Sequence, residues 1–257
     1  MKTAIGFSGG LDSTYVLWRM LSTTTDEITA VFFDLSYLQQ EPGRVSWLEE
    51  VAPYQKISAS NVAQWLRTNV RDFKFKITVV KSFDGIEPTK SLRLYHIDAL
   101  GPLVANNTYD RIAFGHGARN SNFPSVPKTG MAVEAKLEMM KYAAAETLYE
   151  PIPNWSVSTF DMISELPTEL YALTYSCTRP SIGVNGEFLD CGKCEKCVFY
   201  AIAEKQIAEG VLKSNQWAGW LMTTPSFTYD DRGVNRTATL EFIKGAITRN
   251  QLAKPRV

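Results

Sequence analysis

The 257-residue chain is long enough for one large domain, or a domain with an appendage, around a buried core. Its 27 basic and 27 acidic side chains balance, which argues against a dedicated nucleic-acid binder, and its 45% apolar content is ordinary for a soluble globular protein. No apolar run reaches the length of a membrane span and the start lacks a signal-peptide pattern, so the expected setting is the cytoplasm, with reduced thiols.

In chain order, "TAIGF" (Thr3 to Phe7) reads as a short buried strand. Tyr15, Val16, Leu17, Trp18, Met20 and Leu21 give a helical apolar pattern after it. "EITAVFFD" (Glu27 to Asp34) is a second strand, rich in branched and aromatic residues. Residues Ser60 to Phe73 read as a helix, with Ser60 or Asn61 as its cap. "FKITVVK" (Phe75 to Lys81) alternates as a third strand, and a helical stretch surrounds Tyr95 to Asn106. "DRIAFGHG" (Asp110 to Gly117) is a fourth strand, Gly130 to Leu148 a strong helix, and "YEPIPN" a short fifth strand. "EKCVFYAIAEKQIAE" reads as a helix beside the cysteines. The tail after Leu212 holds a turn-prone "DDRG" and a final helix, and reads as a small appendage.

Strands that alternate with helices predict an α/β fold with a mostly parallel, doubly wound, Rossmann-type sheet. The expected division is residues 1–175 as a nucleotide-binding domain and 176–257 as a C-terminal cysteine-bearing helical region, packed as one unit. Ligands of such sheets sit beyond the carboxyl ends of the strands. Those ends are Ser8 to Ser13, Asp34 to Tyr37 and Gly115 to Asn120.

The first of them reads "SGGLDS". Two glycines let backbone N–H groups converge, because glycine accepts positive φ. The helix start behind them adds free N–H groups and its positive dipole end, which together suit an anion such as phosphate. The hydroxyls of Ser8, Ser13 and Thr14 add hydrogen bonds. A Walker loop would need a lysine, and this loop has none. The plain alternative is a tight strand-to-helix turn capped by an aspartate and a serine.

All four cysteines fall in one stretch, Cys177, Cys191, Cys194 and Cys197, spaced C-x13-C-x2-C-x2-C. Two-residue gaps let thiolates turn onto one ion, and four thiolates close a tetrahedral structural zinc site. An iron–sulfur cluster is the competing occupant.

"SGGLDS" after the first strand is similar to the phosphate loop of the N-type ATP pyrophosphatases, the PP-loop proteins, whose fold is the adenine nucleotide alpha hydrolase or HUP-like sheet. Together with "LTYSC" and "CGKCEKC", it resembles the 7-cyano-7-deazaguanine synthase family over roughly Thr3 to Glu209. The resemblance implies an ATP- and Mg²⁺-dependent carbon–nitrogen ligase. Its substrates would be 7-carboxy-7-deazaguanine and ammonia, and its product 7-cyano-7-deazaguanine, the amide, or a conjugate, as in deazapurine nucleic-acid modification. It implies catalytic roles for Ser8, Asp12 and Ser13, with Asp12 helping to hold Mg²⁺. It implies nucleotide contacts from Phe7, Ser8, Gly9, Gly10, Leu11, Asp12, Ser13, Phe33, Asp34 and Gly115, and zinc ligation by the four cysteines. His116, Arg119, Asn120 and Phe123, in the strand-end loop, are candidate substrate contacts; a polar turn or ordinary packing is the alternative for each.

The chain departs from that family at several points. "DLSYLQQ" replaces a usual "DYGQ"-like stretch, and Val157 stands where a lysine is common. Arg119, Lys128, Arg179 and Lys193 are candidates for that charge. The pattern fits a divergent branch, phage-encoded or defence-associated. A PP-loop tRNA-modifying enzyme is one alternative, but such enzymes usually carry a basic surface or a catalytic cysteine pair; a nucleotide-binding protein without catalysis, which Val157 in place of the lysine keeps open, is another. Members of the family often form homodimers; the sequence displays no dimer seam.

Overall fold

The computed structural model describes residues 1–34, 46–79, 108–114, 159–177, 181–182, 188–191, 195–208, 210, 229–230 and 233–234. Four strands form its central sheet: β1 (Lys2–Gly6), β2 (Glu27–Asp34), β3 (Lys74–Val79) and β4 (Arg111–Phe114). All pair in parallel, in the order β3-β2-β1-β4. The expected parallel α/β sheet is therefore present.

Burial explains the arrangement. From Ile28 to Asp34, β2 is buried at every position, as befits an inner parallel strand covered on both faces. Ala4 and Ile5 of β1 are fully buried beside it. The edge strand β3 is mostly exposed along its length. Helix α1 (Leu11–Thr23) lays Leu11, Tyr15, Leu17, Met20 and Leu21 into the core. Helix α2 (Ser46–Asn69) adds Ala59, Val62, Ala63 and Leu66.

Helix α2 begins at Ser46, not at Ser60. Ser60 is no cap: its hydroxyl donates to the Lys56 carbonyl at 2.8 Å, one turn back in the same helix. Two short helices, α3 (Thr159–Glu165) and α4 (Thr168–Ala172), fall outside the sequence expectation. Each is too short to establish a period, and Pro167 separates them. Helix α5 (Glu195–Ala208) matches the helix expected beside the cysteines.

Two small antiparallel pairs complete the described elements. Strands β5 (Ser181–Ile182) and β6 (Phe188–Leu189) fold back within the long cysteine gap. Strands β7 (Tyr229–Asp230) and β8 (Gly233–Val234) bracket the turn-prone stretch of the tail. The helices expected at 95–106 and 130–148, the strand expected at 149–154 and the final helix lie outside the described residues.

The order β3-β2-β1-β4 fixes where a ligand can sit. From β1 the chain steps to β2 and β3 on one side, then returns to pair β4 on the other. The strand order therefore reverses between β1 and β4, and the crevice beyond their carboxyl ends is the usual ligand position in such sheets. The turn from β1 into α1 opens there.

Candidate functional site

That turn is the "SGGLDS" loop. Gly9 has φ +74°, a conformation other residues rarely adopt. A Cβ at Gly9 would fall 2.8 Å from Ala59 Cα and 2.9 Å from Ser58 Oγ, so α2 crosses directly against the loop. The Gly9 carbonyl accepts from the Tyr175 amide at 3.0 Å and from the Ser58 hydroxyl at 2.8 Å. Ser58 also lies 2.7 Å from the Leu173 carbonyl and shares its one proton between the two. Gly10 is the N-cap of α1 and makes no side-chain capping bond. A Cβ there would meet Ser176 Oγ at 2.8 Å.

The serines brace the loop from inside. Ser13 Oγ accepts from the Ser8 amide at 3.2 Å, donates to the Gly10 carbonyl at 3.1 Å, and lies 3.1 Å from Ser8 Oγ. The Leu11 amide donates to Ser176 Oγ at 3.0 Å. The amides of Gly9, Asp12 and Ser13 have no hydrogen-bond partner among the described residues. The loop thus keeps three amides without a partner among the described residues, at the positive end of a helix.

Asp12 is one-fifth exposed, and Lys196 Nζ of α5 donates to its Oδ2. Lys196 comes from 184 positions along the chain. One turn further along α5, Tyr200 is buried and its hydroxyl has no partner among the described residues. Burial pushes its pKa well above the ordinary phenol value, the Asp12 carboxylate adds to that, and the nearby Ser176 hydroxyl works the other way. Thr14 Oγ1, in the first turn of α1, is likewise buried and unpartnered among the described residues.

The thiols form a separate group behind the loop. The β5–β6 ribbon reverses the chain after Cys177 and returns it to Cys191. The Cys191 amide donates to Cys177 Sγ at 3.4 Å. Cys197 joins them from the first turn of α5. The three sulfurs lie within 4.8 Å of one another, and none is in a disulfide. Thiolates around one tetrahedral zinc stand about 3.8 Å apart, given a Zn–S length of about 2.3 Å. A small contraction brings these three onto one ion, so they can hold a metal. Tyr175, stacked on Tyr54 at 5.8 Å, packs against the group.

The other expected residues are placed as follows. Phe7 is buried under the loop, edge-on to Phe75 at 6.0 Å, and its amide donates to the Val31 carbonyl. Phe33 is buried and Asp34 almost wholly so at the carboxyl end of β2, where Lys56 Nζ meets Asp34 Oδ2 at 2.8 Å. Cys194, Gly115, His116, Arg119, Asn120 and Phe123 lie outside the described residues, as do Val157, Lys128, Arg179 and Lys193. Lys196, Ser176, Tyr200 and Ser58 were not foreseen. For Lys196 and Ser176 the available signal is adjacency: each directly precedes a cysteine of the group.

Fold and site together define a parallel α/β protein with a glycine loop at its strand-order reversal and a three-thiol group able to hold a metal. Neither the family models nor the curated proteins contain a match to this sequence. Among the described residues, no helix is long and apolar enough to cross a membrane.

Proposed function

We propose that the chain is an ATP-dependent carbon–nitrogen ligase of the PP-loop type, acting on a deazapurine carboxylate such as 7-carboxy-7-deazaguanine with ammonia. The observation that carries this is the loop: three amides without a partner among the described residues, on a braced glycine turn, at the sheet position where α/β proteins bind nucleotides. The resemblance of "SGGLDS" and the cysteine stretch to the deazaguanine ligases supplies the substrate class.

In this reading the amides of Gly9, Asp12 and Ser13 receive the terminal phosphates of ATP. Lys196 takes one oxygen of Asp12, and Oδ1 has no bond among the described residues. That oxygen would face Mg²⁺, which supplies positive charge at the departing pyrophosphate. The substrate carboxylate attacks the α-phosphorus, and the bond from that phosphorus to pyrophosphate breaks. Ammonia then attacks the acyl carbon and loses a proton. AMP leaves with the C–O electron pair and an amide remains. A second round of activation would take the amide to the nitrile. Adenylation matters because a carboxylate oxygen is otherwise a poor leaving group, so the protein's work is positioning and charge stabilisation. Cys177, Cys191 and Cys197, with Cys194 as fourth ligand, would hold a closed structural zinc.

The test is direct. Protein, ATP, Mg²⁺, ammonium and the 7-carboxy compound should release pyrophosphate only when the carboxylate is present, and product mass should read amide or nitrile. Asp12→Asn should cut that release by on the order of 100-fold. No carboxylate-dependent pyrophosphate from the wild type would end the ligase assignment.

A further inference from the structure

The phosphate loop lacks the lysine that most triphosphate loops carry, yet a lysine stands against it. Lys196 is about one-sixth exposed, and its ammonium contacts Asp12 in the first turn of α1. An ammonium has three donors on a flexible stem. Asp12 uses one, and the described residues offer no second acceptor. An anion beside Asp12 would meet the two remaining donors of that ammonium.

The thiol group lies next to that lysine along the chain. Lys196 is bonded to Cys197, and Ser176, which receives the Leu11 amide, is bonded to Cys177. Tyr175, one residue earlier, donates to the Gly9 carbonyl. Two of the three clustered cysteines therefore have, as immediate neighbours, residues that grip the loop. A metal bound by the sulfurs would fix both grips at once.

We infer that Lys196 is the phosphate-binding cation of this loop, delivered from the far end of the chain by the metal-held start of α5. This rests on the nucleotide reading of the loop. It assigns to Lys196 the charge that the loop's own sequence omits.

The probe is magnesium pyrophosphate, titrated calorimetrically into the full chain. Lys196→Met removes the ammonium and keeps every cysteine. Its zinc content should match the wild type, while pyrophosphate affinity falls about 10- to 100-fold, the size of a lost charge-assisted hydrogen bond. Lys196→Arg, which keeps the charge, should recover most of the loss. Chelating the metal should weaken binding by a similar factor, and the two losses should not add. Losses that add in full would overturn delivery by the metal centre. Equal affinity of Lys196→Met and wild type would overturn the inference and leave the nucleotide reading standing. No binding by the wild type would remove both. Should Lys196→Met misfold, pyrophosphate should still slow acetylation of Lys196 in the wild type; an unchanged rate counts against it.

Discussion

At the scale of single residues, Gly9 carries the most constraint. It shares φ +74° with Gly210, but their surroundings differ. A Cβ at Gly9 runs into the backbone of Ala59, whereas among the described residues nothing lies within 4 Å of one at Gly210. Gly210→Ala should therefore cost only the left-handed backbone penalty, about 1–2 kcal/mol. Gly9→Ala adds a clash with helix backbone, which cannot swing aside, and should cost about 3 kcal/mol or more. Urea midpoints of the two variants, at equal slope, measure the difference. The glycine pair was legible in the sequence because glycine clusters mark turns. Which glycine takes positive φ was not, because α2 decides it. Ser13 shows the same limit: its residue type suggested a phosphate ligand, and the fold first uses its hydroxyl to brace Ser8 and Gly10.

At the scale of elements, legibility followed length. Strands β1, β2 and β3 and helix α1 announce themselves by continuous or periodic apolar residues, and the structure contains them. Helix α2 ran longer than expected because Ser60 looks like a cap in sequence but bonds within its own helix. The start of α5 lies against the thiol group. Its first turn holds Cys197 and Lys196, and the preceding ribbon is only two residues per strand. Such short pieces cannot pay their own ordering entropy. With zinc loaded onto these thiols, removing it with a chelator should loosen the β5–β6 strands, Cys191 and the first turn of α5 before the parallel sheet. Hydrogen exchange should show amide protection lost there while β1 and β2 keep theirs; uniform loss across the sheet would contradict it.

For the molecule as a whole, alkaline pH is the informative stress. Burial, then the hydrogen bond to Glu165, raises the Tyr15 pKa from 10.0 to about 12, and Tyr200 is raised in the same sense. A phenol with a raised folded pKa supports the native state fully below the unfolded value near 10. That support is lost as pH rises through the folded value near 12. The urea midpoint should fall between pH 9 and pH 12, and tyrosinate absorbance should appear later in folded than in unfolded protein. A flat midpoint across that window would show that neither phenol is held as described.

The sequence by itself settled the parallel α/β character, the glycine loop after the first strand and the crowding of all four cysteines into one stretch. These are local: strand pattern, turn chemistry and ligand spacing are written within a few neighbouring residues. The tertiary structure alone decided that β1 lies between β2 and β4, that α2 backs onto Gly9, and that Lys196 meets Asp12 across 184 positions. An ion pair between distant segments leaves no periodicity in the chain. It exists because the fold brings the starts of α1 and α5 together.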